Sequence, residues 1–131
     1  MADDLPDGYH TITPYFTVRD ADALMVFLVK AFAAEILIEK RQKDDTVQHA
    51  RVRIGDSIIM LNQSSDAYPV NTSQMHLYVE DAEAAFATAL RLGAKALMEP
   101  NTRPHGDRMA GIEDPCGNIW WLATPRAVLS K

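Results

Sequence analysis

Two periods of hydrophobic placement alternate along the chain, and they predict its elements. Residues 11–18 are rich in β-branched and aromatic side chains, which predicts a strand. Asp20 then stands where a helix N-cap belongs and Asp22 falls in the first turn, while Leu24, Phe27, Leu28 and Phe32 recur at helical spacing. Strands are predicted over about 35–41, 47–54 and 57–62, with Gly55-Asp56 as a hairpin turn. A segment of Ser, Asp, Pro and Asn at about 64–72 has linker composition. The same order then begins again. A strand ending at Val79 leads to Asp81 as cap, with Glu83 in the first turn, and Phe86, Ala89 and Leu90 form the apolar stripe before Gly93 stops the helix. Strands follow over about 95–99, 108–113 and 118–123, with Pro115-Cys116-Gly117-Asn118 as a turn, and the tail beyond Thr124 is expected to be loosely held.

The two halves are copies at a constant spacing. Val18 and Asp20 recur as Val79 and Asp81, 61 residues further on, and Ile58-Ile59-Met60-Leu61 recurs as Ile119-Trp120-Trp121-Leu122 at the same offset. The expectation is therefore one domain over 1–131, built of two β-α-β-β-β modules at about 9–63 and 73–124.

Strand alternation assigns the faces. Ile12, Pro14, Phe16 and Val18 form one row of the first strand, and Thr13, Tyr15 and Thr17 the other. In the same way Ile59 and Leu61 oppose Ile58, Met60 and Asn62, while Ala50, Val52 and Ile54 oppose His49, Arg51 and Arg53, whose arginines are free to reach solvent. In the second module Met75, Leu77 and Val79 oppose Gln74, His76 and Tyr78, and Trp120 and Leu122 oppose Ile119 and Trp121. One face is consistently apolar and should pack on its helix. The other mixes aromatic and hydrogen-bonding groups, which suits a small-molecule cavity. A half-solvated antiparallel sheet gives a similar pattern, and both readings stay open.

Composition removes several function classes. The formal charge of −5, from 13 Lys and Arg against 18 Asp and Glu, argues against a nucleic-acid partner, and Lys40-Arg41-Gln42-Lys43 beside Asp44 and Asp45 is expected to be a solvated turn. Cys116 is the single cysteine, so neither an intrachain disulfide nor a cysteine-built zinc site is available, and it is read as a turn residue rather than a nucleophile. The longest apolar run, 23–29, is too short to span a bilayer, and the acidic start has no signal-peptide pattern, so a soluble cytoplasmic protein with no membrane partner is expected.

The ending Asp114-Pro115-Cys116-Gly117-Asn118-Ile119-Trp120-Trp121-Leu122 resembles the D-P-x-G-N-x-hydrophobic-E-L signature of the vicinal-oxygen-chelate superfamily, the glyoxalase, bleomycin-resistance and extradiol-dioxygenase group. The runs 54–61, 77–81 and 106–124 are similar to its PhnB-like subgroup, and the resemblance covers about residues 9–124. It implies an α+β fold in which the tandem modules form a curved sheet cup with helices outside, and it implies a homodimer. Enzymes of the superfamily place metal ligands, usually His and Glu, at positions that correspond here to Thr13, Met60, Gln74 and Trp121. None of these is a carboxylate, imidazole or thiolate, so no metal and no other cofactor is expected there.

Three functions follow. The first is a metal-free protein that binds, and by resemblance sequesters, a small organic or antibiotic-like molecule. The candidate ligand-binding residues are Thr13, Tyr15, His49, Met60, Asn62, Gln74, His76, Tyr78, Arg108 and Trp121, with Trp121 as stacking wall and Arg108 available either for an anionic group or for holding its own loop. The alternative is a lyase, isomerase or dioxygenase-like enzyme, metal-independent or with a displaced metal, in which His76 or His49 acts as base. The third is an interaction protein whose cavity is plugged by Met60 and Trp121.

Overall fold

A computed structural model describes residues 3–130. The chain divides into two compact units, Met1–Asn71 and Thr72–Lys131, and each is described by itself. Unit one holds β1 (Tyr15–Val18), α1 (Ala21–Phe32), β2 (Glu35–Arg41), β3 (Val47–Ile54) and β4 (Ser57–Gln63). Unit two holds β5 (Gln74–Tyr78), α2 (Ala82–Arg91), β6 (Lys95–Thr102), β7 (Arg108–Glu113), β8 (Ile119–Thr124) and the short α3 (Arg126–Leu129). Each unit has a four-stranded sheet, ordered β1-β4-β3-β2 and β5-β8-β7-β6, in which the first strand lies parallel to the fourth and the other pairs are antiparallel. This is the expected α+β arrangement of two β-α-β-β-β modules.

Each helix covers one face of its sheet. In unit one Leu24, Met25, Phe27 and Leu28 of α1 are buried, as are Phe16, Val18, Ala50, Val52, Ile59 and Leu61 on the strands. In unit two Phe86 and Ala89 of α2 are buried, with Ala110, Ile112, Trp120 and Leu122 on the strands. The aspartates predicted as caps do cap: Asp20 Oδ1 accepts from the Ala23 N–H and Asp81 Oδ1 from the Ala84 N–H.

The repeat extends to side-chain devices that alternation could not reveal. At the end of β4, Gln63 Oε1 accepts the N–H of Ala21, the first residue of α1, at 2.9 Å. At the end of β8, Thr124 Oγ1 does the same for Ala82 of α2 at 2.8 Å. Each pair therefore satisfies one of the orphan donors of a helix start from the neighbouring sheet. The first-turn acids are also held from outside the helix, Asp22 by Arg41 at 2.6 Å and Glu83 by Arg108 at 2.5 Å. The hydrogen bond from Arg41 keeps the Asp22 carboxyl below its ordinary pKa.

Three boundaries differ from expectation. The first strand begins at Tyr15, not at residue 11, and Ile12 is 83% exposed instead of joining the apolar row. Strand β6 runs on through Pro100 to Thr102, because the proline sits on an edge strand where the register with β7 is broken. The segment after Thr124 is tied down: the Arg126 N–H donates to Asp107 Oδ1 at 2.8 Å. Part of the 64–72 segment is likewise held to β1, through the Asn71 N–H donating to the Thr17 carbonyl.

Candidate functional site

The face of each sheet turned away from its helix carries the expected side chains. In unit one the register sets Tyr15 beside Met60 and Met60 beside Arg51 across β1, β4 and β3, and Thr17 beside Asn62. Residues paired across strands share a face, so this row is fixed by the ladder. Thr17 Oγ1 donates to Asn62 Oδ1 at 2.8 Å.

A continuous hydrogen-bond chain crosses this face. Arg51 Nε donates to His49 Nε2 at 3.0 Å, Arg51 Nη1 donates to the Tyr9 hydroxyl at 2.9 Å, and His49 Nδ1 lies 3.0 Å from the Tyr15 hydroxyl. A guanidinium can only donate, so His49 Nε2 accepts and the neutral ring carries its hydrogen on Nδ1, which it gives to the Tyr15 oxygen. Burial holds the His49 pKa below its ordinary value, and the positive charges of Arg51 and Lys40 lower it further. Burial, with Tyr68 nearby, raises the Tyr15 phenol, while Arg51 works the other way. Tyr15 is thus a neutral phenol whose own hydrogen is left to donate outward. Both ring nitrogens of His49 are engaged within the protein, which leaves no lone pair for a base or a metal.

In unit two Trp121 dominates. Its indole lies over Gly111 of β7, so close that a Cβ there would stand 2.5 Å from Cζ3 and 2.8 Å from Cε3. Only a residue without a side chain lets the ring come this close to the strand. Trp121 Nε1 donates to Gln74 Oε1 at 2.6 Å. His76, paired with Trp121 in register, packs edge-on to Tyr78 with ring centroids 4.8 Å apart. Glu113 sits on the same face, with Lys95 Nζ 3.9 Å from its carboxylate.

Beneath this face the Asp114-to-Asn118 turn is a buried polar knot. Asp114 Oδ1 accepts from the N–H groups of Cys116 and Asn118, and Oδ2 accepts from Trp120 Nε1 at 2.8 Å. Asn118 Oδ1 accepts the Ser73 N–H at 2.8 Å, tying the turn to the entry of β5. Gly117 supplies the positive φ of 89° that the turn needs. The motif residues thus hold the turn together and anchor Trp120.

The expected site residues are placed as follows. Tyr15, His49, Met60 and Asn62 share the open face of unit one, and Gln74, His76, Tyr78 and Trp121 share that of unit two. Thr13 precedes β1 and is outside the ladder. Arg108 is not brought to the open face. It alternates with Ala110 and Ile112 on the helix side, where Nε and Nη2 both reach Glu83 and Nη1 reaches Thr102. Tyr9 and Arg51 were missed. Alternation had placed Arg51 on the correct face, but an arginine bound for solvent gives the same signal, and nothing in the sequence points to Tyr9.

The metal implied by the resemblance does not fit the side chains present. Met60 offers a thioether and Trp121 no donor atom, while the Gln74 oxygen already accepts from Trp121. Among the described residues no three His, Cys, Asp or Glu side chains are grouped to hold a metal ion. No described helix is long and apolar enough to cross a membrane.

Comparison with known proteins agrees with this architecture. Residues 9–122 match the family described as Glyoxalase/Bleomycin resistance protein/Dioxygenase superfamily. An uncharacterized protein of Mycobacterium bovis is 32% identical over 128 residues, covering 87% of this chain and 82% of its own length. Among solved structures, TioX from Micromonospora sp. ML1 superposes with a TM-score of 0.72 at 21% identity, covering 88% of this chain and 96% of its own. A PhnB protein from Bacillus cereus, described as a putative 3-demethylubiquinone-9 3-methyltransferase, gives 0.70 at 18% identity, covering 88% and 100%. At such identities the two structures share the fold alone.

Proposed function

The chain belongs to the Glyoxalase/Bleomycin resistance protein/Dioxygenase superfamily, and from that premise we propose that it binds a small organic molecule without a metal. The observation that carries this reading is the Trp121–Gln74 hydrogen bond of 2.6 Å. Two positions that hold metal ligands in the superfamily's enzymes are here joined to each other, and together they present a flat, half-buried indole. An indole backed by glycine gives a rigid stacking surface, and its Nε1 hydrogen is satisfied by Gln74. Binding rather than catalysis is favoured by His49, whose two nitrogens are both occupied. The family description includes bleomycin-resistance proteins, which makes an antibiotic-like ligand one member of the proposed class.

A second copy of the chain completes the proposal. Within each unit the outer strands, β1 and β2 or β5 and β6, have one sheet neighbour each, and Ile36, Ile38 and Leu97 on those strands are exposed. Apolar side chains on open edges favour a two-fold partner. A sedimenting mass of one chain would remove this part of the reading.

Binding is tested by titrating the protein with neutral two-ring aromatics and following tryptophan fluorescence. Saturable quenching is expected in the wild type and its loss in Trp121→Phe, which leaves the buried Trp120 as the remaining indole. No saturable binding to folded protein, or binding untouched by Trp121→Phe, contradicts the proposal.

A further inference from the structure

Arg51 differs from the other arginines of unit one's sheet. Arg41 and Arg53 are paired with carboxylates, Arg41 with Asp22 and Glu39 and Arg53 with Glu35. Arg51 is half-buried on the middle of the open face and is held by two neutral groups, His49 Nε2 and the Tyr9 hydroxyl. Among the described residues no carboxylate pairs with it. Two of its five N–H groups are used in this way, and among the described residues the other three have no acceptor. The Tyr9 ring also faces its guanidinium, at 5.5 Å from the centroid. The cation is therefore positioned in advance while its charge is left uncompensated, an arrangement suited to a planar oxyanion.

The neighbours complete a subsite. The ladder sets Met60 between Arg51 and Tyr15. With strands about 4.8 Å apart, the two polar residues flank Met60 across about 10 Å of sheet. His49 links them over that floor, fixing Arg51 at one nitrogen and the Tyr15 oxygen at the other. Tyr15, 46% exposed, keeps its own hydrogen for an outside acceptor.

We infer that Arg51 and Tyr15 form an anion-recognition subsite, in which the carboxylate, sulfonate or phosphonate oxygens of a small apolar molecule meet the guanidinium and the phenol while its apolar body lies on Met60. This inference rests on the reading of the open face as a binding face and narrows its ligand class.

The test uses two aromatic molecules of similar size on the full chain, 8-anilinonaphthalene-1-sulfonate and the neutral N-phenyl-1-naphthylamine. Affinities are measured by calorimetry, and nitrogen-15 NMR locates each site. The sulfonate is expected to bind about tenfold or more tightly than the neutral molecule, the size of one charge-assisted contact. It should shift the Arg51 Nε–H signal and the amides of Arg51 and Met60. Arg51→Gln should abolish the preference, whereas Arg53→Gln, at an arginine already paired with Glu35, should keep it. Arg51→Lys, which keeps the charge without the fork, should retain part of it and serves if Arg51→Gln does not fold. Equal wild-type affinities, a preference that survives Arg51→Gln, or shifts confined to the exposed apolar side chains of α1, Val26 and Val29, would overturn the subsite while leaving the binding reading intact. Failure of both molecules to bind would overturn the binding reading, and the subsite with it.

Discussion

At the scale of single residues, the open faces depend on who holds each side chain. Gly111 is the clearest case, because the indole of Trp121 occupies the space where its side chain would be. Gly111→Ala is expected to leave the sheet hydrogen bonds in place and push the ring off β7, breaking its bond to Gln74. Near-ultraviolet circular dichroism should change while the far-ultraviolet spectrum persists, and aromatic ligands should bind about tenfold more weakly, the order of one lost stacking contact. An unchanged near-ultraviolet spectrum would show that Trp121 does not rest on Gly111. The same scale explains why Arg51 and Arg108 were hard to read. Both are arginines on strands beside apolar alternations, and their roles differ through partners distant in sequence. Glu83 on α2 captures Arg108, whereas Tyr9 and His49 hold Arg51 without neutralising it. Periodicity gives the face of a side chain but not the charge that faces it.

At the scale of elements, the repeat was legible and its supports were not. The offset of 61 residues pointed to both helices and their Asp caps, because Asp20 and Asp81 are local signals read within one turn. It did not reveal that Gln63 and Thr124, residues of different chemistry at the same place in the repeat, both accept the first helical N–H. The sequence pattern ends this strand at about residue 99, whereas β6 continues through Pro100 to Thr102, because on an edge strand the proline's missing N–H costs the ladder nothing. The caps also differ in setting, since Thr124 is fully buried and Gln63 is partly open to water. Thr124→Val should leave the Ala82 N–H without an acceptor and cost about 1–3 kcal/mol, and Gln63→Leu should cost less because water can replace the lost oxygen. Urea midpoints of the two variants measure this, and an equal loss in both would contradict it.

At the scale of the whole molecule, one scaffold is used twice and its open faces have diverged. Both units keep the strand order, the Asp cap, the sheet-to-helix bond and the arginine clamp on the first helical turn. Their open faces share little: unit one presents a tyrosine–histidine–arginine chain over Met60, and unit two presents Trp121 with His76 and Tyr78. The supports are shared while each open face has its own chemistry, so each unit's face is to be tested by itself. We propose that Thr13, Met60, Gln74 and Trp121, at the positions the resemblance assigns to metal ligands, bind no metal. The most direct test is the metal content of protein purified without a histidine tag, followed by titration with zinc, manganese, nickel and iron. No stoichiometric metal and no saturable uptake are expected. One metal bound per chain, lost in His76→Ala or His49→Ala, would contradict it and make metal-assisted catalysis the better reading.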